Sequence, residues 1–248
     1  MRKLAWLGVL LLVGCANTAP MAVTKQTKSI DTSKASVVLM TVDVGRKEES
    51  RFIPQPTYVG FVKKDGAPKP ERISFRIDDD AGEAESRLHN KFLLRVALAP
   101  GNYQLAYIAG TASAFPIPGS FLLPLLMDID VAPNSVTYVG RVTATMRPRV
   151  GEEFRAGPVI PLIDQAVAGI SGSTFDVAVT DASQEDIAAF KAAFPALAGA
   201  NIRQQMLPAF NRPRVQAWWD NDGTEPAASA NDGKQAQAGD AGMKQAQK

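Results

Sequence analysis

Eight short apolar runs, several of them alternating and punctuated by Pro, Gly and Asn, constrain this chain more than any other feature. Residues 36–44 read S-V-V-L-M-T-V-D-V, residues 57–62 read T-Y-V-G-F-V, and residues 72–77 alternate as R-I-S-F-R-I. Further runs fall at 91–98, 102–108, 121–131, 136–145 and 174–180. A side-chain period of two belongs to strands, which must bury one face. Ala99-Pro100-Gly101 separates two of the runs and Ala132-Pro133-Asn134 another two. There Pro presets φ and Gly or Asn tolerates positive φ, so the 91–98 and 102–108 runs read as a hairpin. Strands of this number and length predict a mainly β fold, an antiparallel β-sandwich, with a closed barrel as the alternative.

One helix is predicted after the last strand. Ser183 followed by Asp186 approximates a capping box, and Ile187, Phe190, Phe194 and Leu197 recur at helical spacing. Glu185 and Asp186 lie in the first turn, where the helix dipole favours acids, and Pro195 should end the helix. Its Phe stripe is expected to cover an end or face of the sandwich. A second, weaker helix is expected over 201–207, stopped by Pro208.

The N-terminus carries a different signal. Arg2 and Lys3 precede residues 4–13, which contain only Leu, Ala, Trp, Gly and Val. A positive segment followed by a short apolar one is a secretory leader, and this run is far below the roughly 20 residues that span a bilayer. Leu12-Val13-Gly14-Cys15 resembles the lipobox of bacterial lipoproteins, and Cys15 is the one cysteine of the chain. The resemblance implies cleavage before Cys15, two acyl chains on its sulfur through diacylglycerol and a third on its amino group. At about 0.8 kcal/mol per buried methylene, such an anchor is effectively permanent. Ala16 in place of Asp after the cysteine implies sorting to the outer membrane, facing the periplasm.

The body carries a second resemblance. A-P-G-N-Y-Q-L at 99–105, paired with V-A-P-N-S-V-T-Y-V-G-R-V at 131–142, looks like DUF2846-type envelope lipoproteins. That likeness implies a carboxypeptidase-regulatory-like sandwich. It brings over no functional residues, because those relatives have no assigned chemistry. The expected organisation is a signal peptide over 1–14 and a lipidated N-terminus and tether over 15–34. A sandwich domain with C-terminal helices follows over 35–220, then a disordered low-complexity tail over 221–248.

Composition bears on chemistry. The chain has 27 Lys and Arg against 25 Asp and Glu, and loss of Arg2 and Lys3 with a leader leaves 25 against 25. That balance supplies no counterion-release term for nucleic acid. One cysteine and one histidine cannot furnish a structural zinc site, and no cofactor is expected. Gly169-Ile170-Ser171-Gly172-Ser173 ends in Ser where a nucleophile elbow needs Gly, and any serine triad would have to use His89, read here as an exposed strand-end residue. Asp78, Asp79, Asp80, Glu83 and Glu85 read as a solvated acidic turn, since Gly82 and the missing distal Glu do not fit a calcium loop. The apolar stretch 120–127 reads as a buried strand.

Arg147-Pro148-Arg149-Val150 recurs as Arg212-Pro213-Arg214-Val215, ahead of Trp218 and Trp219. Guanidinium groups bind carboxylate or phosphate in a bidentate manner and stack on aromatic rings. These six residues are therefore the candidate ligand site, for an anionic glycan or lipid. The competing reading has the tryptophans closing the domain edge beneath the arginine stems. The leading expectation is a non-enzymatic envelope lipoprotein with a structural or protein-interaction role, bound to membrane through Cys15 and possessing no metal site. A ligand-binding module is the alternative, and a secreted hydrolase ranks third.

Overall fold

Every one of the eight alternating runs forms a strand in the computed structural model, which describes residues 18–65, 70–78, 82–84, 88–114, 119–157 and 170–224. In chain order the strands are β1 (Thr18–Ala19), β2 (Ser36–Arg46), β3 (Ile53–Lys63), β4 (Glu71–Arg76), β5 (Gly82–Ala84) and β6 (His89–Leu98). They continue as β7 (Gly101–Ser113), β8 (Ser120–Val131), β9 (Val136–Pro148), β10 (Ser173–Thr180) and β11 (Ile202–Gln204), with helices α1 (Ser183–Ala193) and α2 (Arg212–Asp220). One sheet has the order β1-β4-β3-β7-β8 and the other β10-β9-β2-β6-β5, with β11 beside β9. Leader and lipobox lie outside the described residues.

The pairing is mixed. Most neighbours are antiparallel, but β2 and β9 run parallel, as do β1 with β4 and β11 with β9. The parallel centre follows from the crossovers. Ala99-Pro100-Gly101 does not close a hairpin: β6 pairs with β2 and β5, while β7 pairs with β3 and β8, so this turn arches between the sheets. The Ala132-Pro133-Asn134 turn is a second arch. Ser36 at the start of β2 fixes it, its Oγ donating to the Ala132 carbonyl at 2.7 Å and accepting from Ser135 N at 3.1 Å. That bond sets β9 beside β2 with both strands starting at one end. A local turn signal is the same for a hairpin and an arch; the partner strand decides between them.

Inner faces make the core. Val38, Met40, Val42 and Val44 of β2, with Leu94, Val96 and Leu98 of β6, are buried opposite the buried Val59, Phe61, Leu105 and Leu123 of the other sheet. β2 is buried on both faces, as its near-continuous apolar run requires. Its outer residues Val37 and Leu39 pack with Tyr138, Phe190, Phe194 and Leu197, so α1 forms a third layer. At Gly140 β9 takes φ +112° and the β2–β9 register shifts, which turns Arg141 onto the same outer face as Tyr138. In β8, Leu126 takes φ +52° where two residues oppose one of β7. Pro124 lies on this edge strand, where a missing N–H is tolerated.

Four expectations are corrected. Ser183 does not cap α1 through a capping box: its own amide donates to Asp181 at 3.0 Å, and Asp186 is buried in the interface beneath the helix. Residues 202–204 are not helical but pair with 136–138, because β10 leaves that stretch of the β9 edge open. The second helix is α2, started by Asn211 accepting from Arg214 N at 2.9 Å with Pro213 in its first turn. It belongs to a second compact unit, Asn211–Lys248, beside a first that runs to Phe210.

The fourth correction concerns the tether. From Thr18 the chain is part of the fold: β1 pairs with β4, Met21 and Val23 are buried, and Ala22 N donates to the Arg95 carbonyl at 2.8 Å. Residues 18–24 thus form a strap that links the β4 edge to the β6 edge. On the opposite side the β9–β10 connection does the same, Leu122 donating to Ala156 and Ala156 to Ser173, each at 2.8 Å. On each flank these bonds cover part of a sheet edge, where an open ladder would invite aggregation.

Candidate functional site

Arg147 and Arg149 lie where β9 runs into a turn rich in acids. Arg147 donates from Nη1 and Nη2 to the two Glu153 oxygens at 2.7 and 2.6 Å, and from Nε to Asp176 at 2.8 Å. Glu153 first, and Asp176 with it, hold this guanidinium above arginine's ordinary pKa. Arg149 pairs with Glu152 at 3.0 Å. This first Arg-Pro-Arg copy is an internal clasp between β9, β10 and the turn, with its fork already filled by carboxylate.

The second copy has another role. Arg212 and Arg214 open α2 and are half-buried, each with an interaction partner, and Trp218 and Trp219 are half-buried in its last two turns. Gly223 N donates back to the Trp218 carbonyl at 3.0 Å with Asp222 in the left-handed region at φ +51°, closing the helix in a Schellman-type cap. The same tripeptide ends a strand in one unit and begins a helix in the other. Cys15 lies outside the described residues.

The polar centre that sequence reasoning missed is under α1. Asp186 is fully buried and accepts from Tyr138 Oη at 2.6 Å, from Arg141 Nε at 3.2 Å and from Arg141 Nη2. Glu185, on the exposed side, joins Arg141 at 2.9 Å and Lys91 at 2.8 Å. Burial, and then the bond to Asp186, push the Tyr138 phenol well above its ordinary value. The Lys91 ammonium, followed by Arg141, holds the Glu185 carboxyl below its ordinary value. One signal was present: Asp186, Phe190 and Phe194 are spaced by four, so an acid stands on the apolar stripe.

Arg95 is a buried cation, 1% exposed. Its guanidinium carbon lies 4.0 Å from the Phe194 ring centroid, its Nε donates to the Val23 carbonyl at 2.8 Å, and its Nη2 meets Asp78 at 2.6 Å. Asp78 is therefore part of the fold and not of a solvated turn, while Asp79, Asp80 and Glu85 lie outside the described residues. Between the strap and the end of β4 an open cleft of about 360 Å³ is lined by Thr18, Met21, Thr24, Arg76 and Asp78 among others.

His89 departs from the expectation of exposure. It is half-buried, with Nδ1 2.9 Å from Asp43 Oδ1, and its ring covers Gly45, where any side chain would collide with it. An acid at Nδ1 fixes a histidine's tautomer, the orienting half of a triad. Ser171, the centre of the elbow-like pentapeptide, is buried in a 3₁₀ turn. Among the described residues no group of three His, Cys, Asp or Glu side chains is placed to hold a metal ion. What the arrangement does chemically is cross-link layers: charge-assisted bonds join α1, the strap and the β9–β10 turn to one face of one sheet. Compared with models of protein families, with curated proteins and with solved structures, the chain matches none.

Proposed function

We propose that this protein is a non-enzymatic lipoprotein of the bacterial envelope, anchored through acylated Cys15 in the outer membrane facing the periplasm, and that its sandwich serves a structural or protein-interaction role. The observation that carries the reading is the order of the leader: two cations, a short apolar run, then Leu12-Val13-Gly14-Cys15 with no other cysteine in the chain. Among the described residues no helix is long and apolar enough to cross a membrane. The internal use of Arg95, Arg141 and Arg147 supports a scaffold in preference to an anion-binding module, because their donors are directed at the fold's own acids and carbonyls.

Metabolic labelling with an alkynyl palmitate tests the anchor. Label is expected on the native chain and is expected to be lost in Cys15→Ser. An unlabelled native chain, or label that survives the substitution, would contradict the reading. Crosslinking of the anchored protein in intact cells then tests the interaction role.

A further inference from the structure

We infer that the sandwich is held flush on the bilayer, with the end that carries the two inter-sheet arches turned to the lipid headgroups. This rests on acylation of Cys15 and concerns where that anchor places the domain. Two observations carry it. First, β1 runs parallel to β4 with Thr18 opposite Ser74 and Ala19 opposite Phe75, so the backbone at Thr18 is directed to the Glu71 end of β4. Glu71 pairs with Lys63 at the end of β3, beside the start of β7 and the end of β8. That is the end of the sandwich where both arches lie.

Second, only Ala16 and Asn17 stand between Cys15 and Thr18. Three residue steps reach at most about 11 Å. β3, from Ile53 to Lys63, spans about 35 Å at strand rise. The anchor therefore reaches the near end of the sandwich and never the far one. The leash does not lengthen by peeling the strap away, because Met21 and Val23 are buried and the Val23 carbonyl holds the buried Arg95.

Among the described residues the near end carries both signs of charge. At the near end Lys64 pairs with Asp128, Lys63 lies over the Tyr103 ring at 5.9 Å and Asp65 accepts from Asn102 N at 2.6 Å. The surface should dock equally on zwitterionic and anionic headgroups, and salt should not release it.

The test uses the full-length acylated protein in vesicles of phosphatidylethanolamine with or without phosphatidylglycerol, doped with a headgroup-labelled acceptor. Acylation blocks Cys15, so Glu71→Cys at the near end and Glu49→Cys at the far end each give a single reactive thiol for a donor dye; Arg72→Cys and Glu48→Cys are a second pair should either label disturb folding. Energy transfer is expected to be several-fold greater from the near-end sites in both lipid mixtures. A twenty-residue Gly/Ser insertion between Ala16 and Asn17 should abolish the difference. Equal transfer from both ends in a chain of native length, with acyl groups present by intact mass, would overturn this inference and leave the lipoprotein reading standing. An unmodified N-terminus would overturn both.

Discussion

Three donors converge on Asp186, a residue without solvent contact, and this sets the behaviour of the helix–sheet interface. Breaking a buried ion pair by removing one partner costs about 3–5 kcal/mol, since the other charge is left uncompensated. Arg141, 16% exposed, keeps Glu185 as a partner, so Asp186→Asn should lower urea stability by less than that, about 1–3 kcal/mol for the weakened buried acceptor. Replacing Asp186, Arg141 and Tyr138 together by apolar residues of similar volume should restore much of the loss. A second expectation follows from Tyr138, whose pKa is raised from 10.0 by burial and by Asp186. Below pH 10 both folded and unfolded chains keep this proton. Above it the unfolded chain ionises and the folded one does not, so stability should fall by about 1.4 kcal/mol per pH unit. Tyr103, also raised by burial, adds to the slope. Tyr138→Phe should remove the Tyr138 share, which denaturation at pH 9, 10 and 11 would read. The buried acid was legible as a charge on the Phe190 stripe; its partners were not, because Tyr138 and Arg141 reach one face only through the bulge at Gly140.

Among the elements, the strap 18–24 carries the sharpest consequence. Burying a side chain of the size of Met or Val contributes about 1.5–3 kcal/mol, and Met21 and Val23 are both buried. A chain begun at Lys25 should be less stable by about 3–6 kcal/mol, whereas a free tether would be dispensable; chemical denaturation of the two forms decides between them. The strap was not legible because its two buried residues lie in a polar stretch without sustained period. The eight longer strands were legible, since an apolar face reports burial directly, while the short β1, β5 and β11 were not. Their partners were less so: 99–101 and 132–134 carry good turn residues, and those residues serve an arch as well as a hairpin. β11 and α2 mark the same limit. Residues 202–204 form a strand only because an edge of β9 is open to them, while the Asn211 and Pro213 start signal of α2 was present and was read instead as a binding motif.

For the whole molecule, two sheets and a helical layer direct the guanidiniums of Arg95, Arg141 and Arg147 at the fold's own acids. The sandwich class was readable because many short strands with one apolar face have few other ways to be satisfied. The local use of the Arg-Pro-Arg segments was not, because identical segments enter different local structures and Arg147 in the first is paired with Glu153 and Asp176. The account then depends on one covalent fact, the state of Cys15, from which both the membrane location and the close seating of the domain follow. Intact mass of the protein extracted from membranes measures it directly. The account predicts a chain beginning at Cys15 and carrying diacylglycerol with one further acyl group; an unmodified chain beginning at Ala16 or later would contradict it.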